Sequence, residues 1–306
     1  MNHGHTYREQ IDARDAGRAV LAHLGERFGR ATPSTWQARI ETGQVKLDDA
    51  PTTAGALLRA GQWLCWDRPP WTEPPVPLDT AVLYEDALLL AVAKPRGLPT
   101  MPAGGLYLEH TLLAVVRRRA PEASPMHRLG RDTSGLVLFA RTAAAARVVQ
   151  AAFRARQIGK VYRALCSGHP VADALTIDVP IGEVAHPLLG TVHAASPGGR
   201  PSRSHVRVLE RRGGGGLPPC ALVEVTIETG RPHQIRIHLA HAGHPLVGDP
   251  LFGPGGLPLP GTRALPGDPG YLLHAGRLEL DHPVSKARLV IECPPPPALR
   301  LGAGRT

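Results

Sequence analysis

Apolar residues recur at helical spacing in GRAVLAHLGERF, within residues 17–28, and STWQARIETGQ reads as a second short helix capped by Ser34. GQVKLDDA and GQWLCWD follow as short strands around a loop, so Gly17–Trp66 is predicted to be a small α/β unit. Asp67–Asp79 then carries five prolines in thirteen residues, which neither a helix nor a central strand accommodates, and reads as a linker. From Thr80 onward strand patterns dominate: AVLYEDALLLAVAKP, HVRVLERR and ALVEVTIETG. Amphipathic helices are expected near His110–Arg119 and Thr142–Gln157. The pattern predicts an α+β domain on a mixed, mostly antiparallel sheet. The run Gly213–Gly216 between two strand-like segments reads as a hairpin loop, since it lacks the Lys-Ser/Thr and the helix of a phosphate-binding loop. The expected division is therefore a small domain over 1–66, a linker over 67–79 and a large domain over 80–306.

Charge narrows the partners. Lys and Arg number 35 against 26 Asp and Glu, a net charge of +9 over 306 residues, which favours an acidic partner such as RNA. All but four of the basic residues are arginine, whose planar donor fork suits phosphate and base stacking, although a GC-rich coding sequence produces the same bias. The longest apolar run, Ala87–Ala93, is about a third of the length that spans a bilayer, so no membrane association is expected. Cys65, Cys166, Cys220 and Cys293 lie too far apart in sequence for a zinc or redox motif, and a reducing cytoplasm fits them best. DNA is not the expected partner, because STWQARIETGQ offers one arginine and one glutamate where a recognition helix needs a basic face.

Four segments place polar residues among glycines beside apolar strands: KPRGLPTMPAGG (Lys94–Gly105), HRLGRDTSGLVLFAR (His127–Arg141), KVYRALCSG (Lys160–Gly168) and ETGRPHQIRIHLAHAGHPLVGDPLFG (Glu228–Gly253). The second holds a carboxylate, Asp132, among Arg128, Arg131 and Arg141, which favour its ionised form. The third offers Tyr162, an aromatic able to stack on a base. In the fourth, Arg231, His233, Arg236 and His238 alternate with apolar residues, as on one face of a strand. Each has a plainer reading: Arg beside Asp is most often a solvated ion pair, and Tyr162 is equally at home in a core. The histidines His233, His238, His241 and His244 lie among basic residues with no carboxylate before Asp249, so no metal is expected.

In this order the four segments, with LLHAGRLEL near Tyr271–Leu280, resemble the RluA-type pseudouridine synthases, which isomerise uridine to pseudouridine in ribosomal or transfer RNA. The resemblance covers most of the chain from Thr80. Gly17–Trp66 is more loosely similar to the small RNA-binding domain that precedes many such synthases and is shared with a small-subunit ribosomal protein. The family implies a sheet with flanking helices and a central cleft, a structured RNA substrate and no cofactor. By that resemblance Tyr162 would stack on the uracil and assist proton removal from carbon 5, and Arg236 would pair with the catalytic acid. Arg128 would help flip the target base, while Lys94, Lys160 and Arg231 would contact phosphates or the pocket.

One departure bears on the chemistry. The family motif reads His-Arg-Leu-Asp, and its fourth residue is the essential aspartate, where this chain has Gly130. Asp132 is the nearest carboxylate, roughly 6.6 Å further along an extended chain and on the same side. Two expectations follow: Asp132 serves as a displaced catalytic acid through a loop that Gly130 lets tighten, or the protein binds RNA without catalysis.

Overall fold

The computed structural model describes all residues except 29–30, 103–104, 187–189, 215–216 and 303–306. It divides into two compact units, Met1–Glu73 and Pro74–Thr306, with the boundary inside the expected proline-rich linker.

In the first unit, helices Val20–Arg27 and Pro33–Glu41 bury Leu24, Trp36 and Ile40 against a four-stranded antiparallel sheet. The second helix is capped by Thr32 rather than Ser34: its hydroxyl accepts from the Thr35 amide at 3.2 Å, and Pro33 occupies the first turn. The strand His5–Gln10 is an addition to the expected elements, because HTYREQ contributes little apolar surface and so shows no hydrophobic alternation. This unit carries nine basic and nine acidic residues, so the chain's whole +9 belongs to the second unit.

The second unit is built on a ten-stranded sheet. Its main path runs Ala174–Asp178, Arg203–Gly214, Leu217–Ile227, Gly159–Ser167, Leu273–Asp281, Ser134–Ala140, Leu89–Lys94 and Ala81–Glu85. Every pairing is antiparallel except the central one, where His274 and Ala275 run parallel to Ser134 and Gly135. That seam requires glycine: Gly135 has φ +114°, and a Cβ there would lie 2.3 Å from the Ala275 carbonyl oxygen. The expected hairpin joins Arg203–Gly214 to Leu217–Ile227, and residues 215–216 of its glycine run lie outside the described residues.

Helix Ala143–Arg154, capped by Thr142, packs Val149 against the cluster that includes Leu136 and Leu138. Helix Leu112–Arg119, capped by Thr111, adds Leu112 and Val116 to the cluster holding Val137, Phe139 and Tyr162. Gln234–His241 is a helix and not the strand that its alternation suggested. Gln234 through Ala240 are all buried, so charged and apolar positions alike face protein and neither period reports a solvent face. No helix among the described residues is long and apolar enough to cross a membrane.

Candidate active site

Residues from three strands, two helices and the segments around His127–Thr133, Gly230–His233 and Tyr271 line a cavity of about 320 Å³. Along Gly159–Ser167 side chains alternate between faces, so Lys160 and Tyr162 share the face of buried Ala164 and Cys166, and both line the cavity. The loop before Ser134–Ala140 brings in His127, Arg128 and Gly130. It is pinned by the Thr100 hydroxyl, which donates to the Leu129 carbonyl at 2.8 Å and accepts from the Leu129 amide at 3.2 Å. The turn before helix Gln234–His241 supplies Arg231 and His233. There the Gln234 side-chain carbonyl accepts from the Thr229 hydroxyl (2.7 Å) and the Arg231 amide (3.1 Å), and His233 takes a left-handed φ of +57° at the helix start.

Tyr162, Arg128, Lys160, Arg231 and Arg236 all line this cavity, whereas two other expected site residues do not. Asp132 is buried and turned away. Arg96 donates to its two oxygens at 2.8 and 2.6 Å, and the Gly270 amide donates to one of them at 2.9 Å. The reason is the backbone: the Thr133 amide donates to the Gly130 carbonyl at 3.1 Å, so the segment turns instead of running extended. Lys94 is likewise removed from any RNA. It is 1% exposed, and its side-chain nitrogen donates to the carbonyls of Leu98 (2.7 Å), Pro95 (3.0 Å) and Arg131 (3.0 Å), tying residues 95–98 to the loop before Ser134–Ala140.

Arg236 is at the cavity wall with a different partner from the one expected. Its guanidinium grips Asp249 through two bonds of 2.7 Å and donates a third, at 2.6 Å, to the Pro266 carbonyl. Both side chains of the ion pair are almost wholly buried, and the rings of Tyr271 and Phe252 lie 4.1 and 4.9 Å from the guanidinium carbon. Pairing and cation–π contact together offset the cost of burying the charge.

The cavity's electrostatics are one-sided. Among the described residues no carboxylate lines it, and Arg128, Lys160 and Arg231 have no acidic partner. Burial lowers the pKa of Lys160. His127 is pushed down to about 4 by burial and then by the charge of Lys160. Its Nε2 accepts from the Leu138 amide at 3.1 Å, which puts the imidazole proton on Nδ1. His233 falls to about 3 through burial and then Arg236, so both imidazoles are neutral at pH 7. Burial raises Tyr162 to about 12, which keeps its hydroxyl protonated. The result is a concave, cationic site with a buried aromatic, suited to an extruded base and its phosphates.

Of His233, His238, His241 and His244, three spend ring nitrogens on protein groups. His238 bonds Ser202, Ser204 and Val179, His241 the Gly255 carbonyl and His244 the Ser167 carbonyl. No group of three or more potential ligands gathers among the described residues. His127, Thr133, Gln234 and Tyr271 also line the cavity, with no role predicted from the sequence. They stand in or beside segments already singled out, but nothing in a linear pattern aims them at one another.

The model of the RNA pseudouridylate synthase family matches residues 88–241. An uncharacterized RNA pseudouridine synthase of Synechocystis is 40% identical over 92% of this chain and 95% of its own length. Ribosomal large subunit pseudouridine synthase D of Pseudomonas aeruginosa is 33% identical over 90% of this chain and 87% of its own. The solved structure of human RNA pseudouridylate synthase domain containing 1 superposes with a TM-score of 0.59 and 27% identity, covering 75% of this chain and 89% of the human one. With the match of the family model over half its length, the chain belongs to the RluA-type RNA pseudouridine synthases, isomerases that act on uridine in RNA.

Proposed function

We propose that the protein isomerises uridine to pseudouridine in structured ribosomal or transfer RNA, in the cytoplasm and without a cofactor. The observation that carries this reading is the cavity itself, which Tyr162 lines together with three cations that have no acidic partner among the described residues. A stacked uridine cannot reach such a pocket, so the nucleotide is extruded, with Arg128 filling or levering the gap and Lys160 and Arg231 meeting phosphate or base oxygens. Tyr162 stacks on the uracil. The bond from N1 to the ribose C1′ breaks, the base turns, and C5 bonds to C1′ as C5 loses a proton and N1 gains one. A confined cavity holds the freed base for its rotation.

The small unit is read as an auxiliary RNA-binding domain. Its balanced charge assigns the long-range attraction for RNA to the large unit. The test is tritium release from unmodified ribosomal and transfer RNA labelled at C5 of uracil. Release is expected from one of the two classes, and Tyr162→Phe should bind equally well but turn over more slowly. Tight binding without release from either class would instead make the protein an RNA binder that has kept a synthase pocket.

A further inference from the structure

Gly130 has no side chain to offer the cavity, and the group that reaches its place comes from the far end of the chain. A Cβ built on Gly130 would lie 3.1 Å from the Tyr271 hydroxyl and 3.5 Å from the Thr133 hydroxyl. The carboxylate oxygens of an aspartate extend about 2.4 Å beyond Cβ, so phenol and carboxylate compete for one volume. Tyr271 is buried yet lines the cavity, and its hydroxyl meets Thr133 at 3.3 Å, longer than the roughly 2.7 Å of a well-made O–H···O bond. That contact is weak and either hydroxyl can be its donor, so the Tyr271 proton is able to turn to the cavity. The ring lies against the guanidinium of Arg236, which spends three of its five N–H groups on Asp249 and Pro266. A cation over a phenol ring strengthens the hydroxyl as a hydrogen-bond donor.

From this geometry we propose that Tyr271 is a catalytic residue, donating a hydrogen bond to the uracil as it leaves C1′, from the position that a side chain at 130 would occupy. The proposal rests on the synthase reading above. When N1–C1′ breaks, its electron pair stays with the uracil and the charge spreads to the ring oxygens. A fixed neutral donor in a water-poor pocket stabilises that charge and keeps its proton throughout. The pair returns to C1′ when C5 bonds to it. Donation to the leaving uracil uses no carboxylate, consistent with a cavity that has none among its described lining residues; the C5 proton is released to water and N1 takes one up from it.

The experiment compares single-turnover tritium release, RNA affinity and thermal melting for the parent, Tyr271→Phe, Gly130→Asp and the Gly130→Asp/Tyr271→Phe double variant. Tyr271→Phe removes one oxygen and should keep RNA affinity and melting close to the parent while the rate falls about 100-fold or more. Because phenol and carboxylate compete for space, the double variant should recover part of that loss. Release by Tyr271→Phe within threefold of the parent would overturn the assignment and leave the synthase reading standing. Absence of release from the parent, with RNA bound, would overturn both.

Discussion

Lys94→Met tests whether an expected RNA contact is a structural post. The substitution keeps the length of the side chain and removes an amino group, its pKa lowered to about 7 by burial, that donates to three carbonyls within a 1% exposed site. The Arg131 carbonyl retains the Gly97 amide at 2.9 Å, whereas those of Pro95 and Leu98 have no other donor among the described residues. Two buried acceptors left unpaired cost about 1–3 kcal/mol each, and release from burying the amino group offsets part of this, for a net loss of about 2–4 kcal/mol. Against a typical total of about 5–15 kcal/mol this is large. Urea unfolding should show it as a lower midpoint at unchanged slope, while RNA affinity of the folded protein stays within twofold. A stability change under about 1 kcal/mol together with a tenfold loss of affinity would refute the reasoning and return Lys94 to the RNA.

Asp132→Asn should weaken the bidentate pair with Arg96 and destabilise by about 1–3 kcal/mol while folded protein keeps its tritium release; lost release at an unchanged melting temperature would restore Asp132 as the acid. Lys160→Met should reduce the slope of log affinity against log salt by about 0.7–1, as loss of one phosphate contact does, and an unchanged slope would remove Lys160 from the phosphates. Stability should also fall with acid. His127 has its folded pKa at about 4, below the roughly 6.5 of an unfolded histidine, so the unfolded state takes up the proton first and stability is lost from about pH 6.5 down to 4. Urea unfolding at pH 7 and 4.5 should show a smaller drop for His127→Gln than for the parent.

The sequence by itself determined whatever depends on neighbours along the chain. Helical spacing predicted the helices of both units, and strand patterns predicted the main strands of the large one, although the cap of the second helix is Thr32 and not the expected Ser34. The ordered segments around His127–Arg141 and Glu228–Gly253 carried the resemblance to the family through their residue types and spacings, Gly130 excepted. What only the tertiary structure decided is where each polar group spends its hydrogen bonds. Asp132 meets Arg96 and Gly270 across 36 and 138 residues, and Tyr271 reaches Gly130 from the other end of the domain. Asp249 takes Arg236 across a buried turn, and Lys94 turns inward to the Arg131 carbonyl. A linear pattern fixes the type of a residue and the face of its element. Partners distant in sequence are selected only when folding removes water, because a buried charge or donor must then be satisfied by whatever the packed chain brings within reach.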